Sequence, residues 1–188
     1  MKIGVLALQG DFREHIEASQ ACGHKAVAIR REVELNDLDA LILPGGESTT
    51  IALLARNYNL IEPIRSKISS GLPVYGSCAG MILLADRLVG GVEKQETFGG
   101  LDITVKRNAF GRQVDSFEEE IDFAGRRVNG VFIRAPWVEQ VGSEVEILAT
   151  VNSHAVAVRQ GSILATSFHP ELTGDLSVHT YFFEEICR

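Results

Sequence analysis

The chain has no paired set of cysteines, no long apolar run and no concentration of positive charge. Its three cysteines, Cys22, Cys78 and Cys187, are odd in number and scattered. That excludes a disulfide framework, a zinc knuckle and a CxxC redox motif, and predicts free thiols in a reducing, cytoplasmic compartment. The longest stretch free of polar side chains, residues 78–85, falls far short of the roughly 20 needed to cross a bilayer. The opening Met1-Lys2-Ile3-Gly4-Val5-Leu6-Ala7-Leu8 is too short in apolar residues for a signal peptide. Gln9-Gly10-Asp11 follows without a small-residue cleavage site, so a first buried strand is expected. With 18 basic against 25 acidic residues and a formal charge of −7, and no Lys/Arg cluster, nothing supplies a phosphate-neutralising surface. Neither nucleic acid nor membrane is an expected partner.

Repeats, low-complexity tracts and linkers are also absent, so residues 1–188 are expected to form one domain. The 45% hydrophobic content suits a sizeable core. The first half alternates strands and helices. Residues 3–8, 26–29, 40–43 and 73–75 read as short buried strands. Residues 12–22 read as a helix with Asp11 as N-cap and Gly23 beyond its end. A helical region over 49–70 carries Ile61, Ile64 and Ile68 on one face and breaks near Asn57 or Asn59. Residues 79–88 read as a buried helix. Non-alternating strands each followed by a helix imply a mostly parallel sheet covered on both faces. In the second half, segments near 101–106, 113–118, 145–151, 154–159 and 163–168 are strand-like, with a hairpin at Asn152-Ser153. A closing helix over 176–187 directs Val178, Phe182, Phe183 and Ile186 inward.

Val74-Tyr75-Gly76-Ser77-Cys78-Ala79-Gly80 has the form G-x-C-x-G at a strand-to-helix junction, the thiol version of a nucleophile elbow. Such a turn is sharp and leaves no room for side chains at 76 and 80. It lifts Cys78 above the carboxyl edge of the sheet, and the Ala79 N–H at the helix start is free to bind an oxyanion. A thiolate needs a base. Of the five histidines, His15, His24, His154 and His179 fall in surface helix, turn or hairpin positions and carry no expected role. His169 lies in Ser167-Phe168-His169-Pro170-Glu171 after a strand. In an extended segment, i and i+2 point the same way, so Glu171 can orient the His169 ring. Pro44-Gly45-Gly46-Glu47-Ser48 follows another strand. It suits a phosphate cradle or, better, an oxyanion hole and substrate clamp, since neither phosphate-binding glycine motif is present. Ser48 is expected to cap the next helix.

Pro-Gly-Gly-Glu-Ser at 44–48, Gly-Ser-Cys-Ala-Gly at 76–80 and His-Pro-Glu at 169–171 resemble the class I, triad-type glutamine amidotransferases in order and spacing. Leu8-Gln9-Gly10-Asp11, the run Arg107 to Phe117 and Phe132-Ile133-Arg134-Ala135-Pro136 resemble one branch, the glutaminase subunits of pyridoxal 5′-phosphate synthases. The resemblance implies a flavodoxin-like α/β fold, a mostly parallel central sheet with helices on both faces and an antiparallel extension. It implies hydrolysis of L-glutamine to glutamate and ammonia, with Cys78 as nucleophile, His169 as general base and acid, and Glu171 as orienter. Gly46 and Ala79 would form the oxyanion hole, and Gly46, Glu47, Ser48, Arg107, Ile133 and Arg134 would hold glutamine. No metal or cofactor is implied. The partner would be a separate, ring-forming synthase subunit that consumes the ammonia, and a Gly45–Gly46 switch would make activity depend on it. Residues 90–100 match least and are expected to be a variable loop. A triad glutaminase serving another acceptor is the alternative.

Overall fold

The computed structural model describes residues 1–90, 95–111 and 116–188. In chain order the elements are β1 (Lys2–Leu6), α1 (Phe12–Ala21), β2 (Lys25–Ile29), β3 (Ala40–Leu43), α2 (Ser48–Asn57), α3 (Ile61–Ser69), β4 (Val74–Ser77), α4 (Ala79–Leu84) and β5 (Ala85–Val89). They continue with β6 (Leu101–Lys106), β7 (Phe117–Phe123), β8 (Arg126–Phe132), β9 (Trp137–Val141), β10 (Glu146–Val151), β11 (His154–Gln160), β12 (Ile163–Thr166) and α5 (Ser177–Tyr181).

A ten-stranded sheet runs β2-β1-β3-β4-β12-β11-β9-β6-β5, with β10 added beside β11. From β2 to β12 every pairing is parallel. The outer part is mainly antiparallel, and β5 joins β6 in parallel. β3 and β4 are buried along their whole length, as strands covered on both faces must be. On one face α2, α3 and α4 supply Ile51, Ala55, Ile64, Ile68 and Met81 to the core. On the other, α1 and α5 pack with the β7–β8 ribbon, whose inward residues are Ile121, Phe123, Val128 and Phe132. This is the expected architecture, and the break between α2 and α3 falls at Tyr58–Leu60. The Asn152-Ser153 hairpin has positive φ at both residues, 49° and 65°, the twist a two-residue hairpin favours.

Three expectations change, and two strands were not expected. The helix expected over 79–88 stops at Leu84, and Ala85–Val89 becomes β5. There the chain pairs with β6, and Arg87 bridges Asp102 at 2.6 Å, so tertiary pairing overrides the apolar helix signal. The closing helix is α5 followed by a π-helical turn over Phe182–Ile186, with the Cys187 N–H donating to the Phe182 carbonyl at 3.1 Å. The wider turn lets the adjacent Phe182 and Phe183 both bury. The strand expected over 113–118 begins, among described residues, near Phe117 and extends to Phe123; residues 112–115, and 91–94 of the variable loop, lie outside the described residues. Strands β8 and β9 had no expectation at all, because Arg126, Arg127, Asn129 and Gly130 dilute the apolar alternation of β8.

Candidate active site

Because β1, β3, β4 and β12 are parallel neighbours, their carboxyl ends open on one edge. Leu43 pairs with Gly76 and Thr166 with Ser77. The segments leaving those strands, 8–11, 44–48, 77–80 and 167–171, therefore converge where open α/β sheets bind ligands.

Cys78 sits at φ 46°, ψ −98°, a sparsely populated conformation that costs on the order of 1–3 kcal/mol. Its N–H donates to the Thr166 carbonyl at 2.7 Å, which pins the elbow to β12. The flanking glycines are dictated by contact: a Cβ at Gly76 would lie 2.6 Å from the Gly80 backbone, and one at Gly80 would collide with the Leu43 carbonyl. As the first residue of α4, Ala79 has an N–H with no intrahelical acceptor.

His169 Nδ1 lies 2.8 Å from Glu171 Oε1. The pair does not form along an extended segment, because Pro170–Leu172 is a 3-10 turn with proline at its start. Proline's fixed φ suits the first turn position, and the tight turn folds the carboxylate back under the ring. The ribbon fixes the backbone, since the His169 N–H donates to the Val131 carbonyl of β8 at 3.0 Å. With Nδ1 engaged, Nε2 is the ring nitrogen left for proton transfer. Burial disfavours the imidazolium, but the Cys78 charge and hydrogen bonds with Asp11, Cys78 and Glu171 hold His169 well above the usual histidine range. Burial likewise opposes the Glu171 carboxylate, yet His15 and then His169, by charge and hydrogen bonding, hold it well below the usual carboxylate range. The constellation is a cysteine sulfur and an imidazole backed by a buried carboxylate.

The Gly45–Gly46 loop closes over these groups. A Cβ at Gly45 would run into the His169 ring, and one at Gly46, where φ is 146°, would lie 2.7 Å from Gln9 Oε1. The Gly45 carbonyl accepts the Asp11 N–H at 3.1 Å, and the Glu47 N–H donates to Gln9 Oε1 at 2.7 Å. Beside the loop, Glu47 takes hydrogen bonds from Arg107 and Thr49, both at 3.1 Å, and faces Arg134 at 3.8 Å. Arg134 is held at φ 46°, next to half-buried Ile133. Buried Ser48 Oγ and Arg107 Nε have no protein partner among described residues, so both remain free for a ligand. Ser48 is the first residue of α2 and Glu47 the N-cap, so the expected Ser48 cap does not form.

Three further corrections concern polar side chains. Asp11 occupies the N-cap of α1 but makes no capping bond; its carboxylate lies 3.4 Å from His169 Nδ1. His15 and His179, expected at the surface, are both 0% exposed and lie behind Glu171. Spacing could have flagged His15, since Asp11 and His15 are one helical turn apart and share a face. Ser77 and Gln9 were read without a site role, and no local signal marks them. Asp11, His169 and Glu171 each offer a ligand atom within 4.8 Å of the others, but these atoms already satisfy one another through the imidazole.

A family model described as SNO glutamine amidotransferase matches residues 5–188. The chain belongs to that family. It is 60% identical to "Pyridoxal 5′-phosphate synthase subunit PdxT" of Kineococcus radiotolerans, over 98% of this chain and 94% of the relative. It is 57% identical to the protein of the same name from Mycolicibacterium vanbaalenii, over 96% and 95%. A solved structure titled "Crystal structure of glutamine amidotransferase" superposes with a TM-score of 0.92 at 50% identity, covering 98% of each chain.

Proposed function

We propose that residues 1–188 act as one glutaminase domain, the glutaminase subunit of a pyridoxal 5′-phosphate synthase, hydrolysing L-glutamine and passing ammonia to a ring-forming synthase subunit. The observation that carries the chemistry is Cys78 on its strained elbow at the end of β4, beside the β12 segment that carries His169 with Glu171 2.8 Å from its ring. The Cys78 thiolate adds to the glutamine carboxamide carbon, and the oxyanion is received by the Gly46 and Ala79 N–H groups. His169 gives its proton to the departing nitrogen, so ammonia leaves and a glutamyl thioester remains. Neutral His169 then takes a proton from water, whose oxygen displaces the sulfur to give glutamate. Glu47 accepts the substrate ammonium, while Arg107, Arg134, Ser48 and the Ile133 backbone receive its carboxylate end.

Ammonia is largely protonated at neutral pH and useless without an acceptor, so partner dependence is expected. The hydrogen bonds from Asp11 to the Gly45 carbonyl and from Glu47 to Gln9 pin both sides of Gly46. A docked synthase that redirects one of these peptides completes the oxyanion hole at a cost glycine keeps small. The free thiols at Cys22, Cys78 and Cys187 support a cytoplasmic setting, and no described helix is long and apolar enough to cross a membrane.

The test is glutamate release by the chain alone and with the synthase subunit, for wild type and Cys78→Ala. Slow turnover alone, a large rise in kcat with the partner and none in Cys78→Ala are expected. Undiminished turnover in Cys78→Ala would overturn the assignment.

A further inference from the structure

Behind the triad lies a chain of buried polar groups that the chemistry above does not use. His15, on α1, places Nε2 2.9 Å from Ser77 Oγ and 3.4 Å from Glu171 Oε1. Its Nδ1 is 2.9 Å from Nε2 of His179, on α5. Ser77 Oγ in turn donates to Glu171 Oε1 at 3.3 Å. Water reaches none of this, since His15, Ser77 and His179 are fully buried.

Proton counting gives the chain a direction. A carboxylate only accepts, so the single Ser77 proton goes to Glu171, and the Ser77 oxygen must accept from His15 Nε2–H. Burial and the neighbouring His15 push His179 down to about 3, so its ring carries one proton. Whichever ring donates across the His15–His179 contact, His15 Nε2 carries a hydrogen towards Ser77 and Glu171. Edge-on contacts of Tyr75 with both rings, at 5.7 Å, hold the pair in place.

We propose, on the triad reading above, that His15 is a positioning residue for the glutaminase reaction. Packed against His179, it joins Ser77 in holding the Glu171 carboxylate aimed at His169. The groups that bear on that carboxylate are His15 from α1, Tyr75 and Cys78 at β4 and its elbow, His169 and His179; Asp11 faces His169 from the start of α1. Of these, only His15 and His169 place a ring N–H at Glu171 Oε1. Losing the His15 donor frees the carboxylate to turn and favours its protonation, which weakens the imidazolium that activates Cys78.

The decisive comparison is His15→Gln against His15→Asn. Both are neutral amides, but the glutamine N–H extends to the position of Nε2 and the asparagine N–H only to that of Nδ1. Two readouts apply: kcat and KM with the synthase subunit present, and the pH dependence of Cys78 alkylation by iodoacetamide in the chain alone. For His15→Asn, kcat should fall about 10- to 100-fold at constant KM, as for partners that orient a reacting group. The acid limb of alkylation should move up by about one pH unit. His15→Gln should recover most of both. Equal losses in the two variants, or an unmoved acid limb in folded His15→Asn, would refute the positioning role. Glu171→Gln separates the two readings. If it too matches wild type, the triad assignment fails; if it is impaired while His15→Asn is not, only the role of His15 fails.

Discussion

Cys78, His169 and Glu171 hang from the ends of β4 and β12, adjacent parallel strands in register, and all three are more than nine-tenths buried. Glu47, Arg107 and Arg134 come from three separate loops, and the Glu47 and Arg134 side chains keep 38% and 46% of their exposure. On the proposed roles, the reacting groups are buried at the ends of paired strands, whereas the substrate-gripping groups are long side chains on loops that share charge. Bond making needs near-attack geometry, for which a displacement of about 1 Å costs on the order of 100-fold. Holding a zwitterion needs only charge at the right ends. The two regions should therefore fail in different kinetic parameters.

The largest effects should come from the strand-end groups. With the synthase present, His169→Ala should cost about 10,000-fold or more in kcat with little change in KM, and Glu171→Gln should retain at least ~10-fold more activity than His169→Ala. Arg107→Lys and Arg134→Lys should instead raise KM by roughly tenfold and leave kcat within a few-fold, since a lysine keeps the charge but loses the fork. A kcat loss in the arginine variants as large as that in Glu171→Gln would erase the distinction.

A backbone test sharpens the same contrast. Gly80→Ala drives a methyl into the Leu43 carbonyl, backbone that cannot swing aside, so a destabilisation of at least ~2 kcal/mol is expected. Gly142→Ala meets the Asp102 side chain, which can rotate, and should cost less. Thermal or urea unfolding of the two proteins checks the order.

The last effect is on acid stability. A histidine whose folded value is lowered contributes stability that is present above the unfolded value near 6.5 and is lost as pH falls towards the folded one. For His179, pushed down to about 3 by burial and by His15, the unfolded chain takes up a proton below pH 6.5 that the native state refuses. Unfolding free energy should drop by about 1.4 kcal/mol per pH unit between pH 6.5 and 4.5. Glu171 adds its own loss only below the ordinary carboxylate range, whereas His24, also lowered by burial and the chain's amino group, adds to the slope in the same window. His179→Phe should flatten most of the slope; an unchanged slope in urea titrations would show that His179 does not titrate across it.

The sequence by itself determined the parallel core and the order of the site segments, and it singled out Cys78, His169 and Glu171 as the candidate triad. Each of those rests on a local constraint. Glycines at 76 and 80 are demanded by a turn too tight for a Cβ, proline at 170 by the turn that returns Glu171 to the ring, and unbroken apolar runs by strands covered on both faces. Tertiary structure alone decided the rest. His15 and His179 look like surface residues of polar helices, Asp11 like a helix cap, and Ser77 like an elbow filler. Each is recruited only because α1 and α5 pack on the same face of the sheet behind Glu171. The β5 strand and the wide turn at Phe182 were equally hidden, since both answer to a neighbour distant in sequence. Periodicity reports which side of an element is apolar; it does not report which polar groups that side encloses when two elements meet.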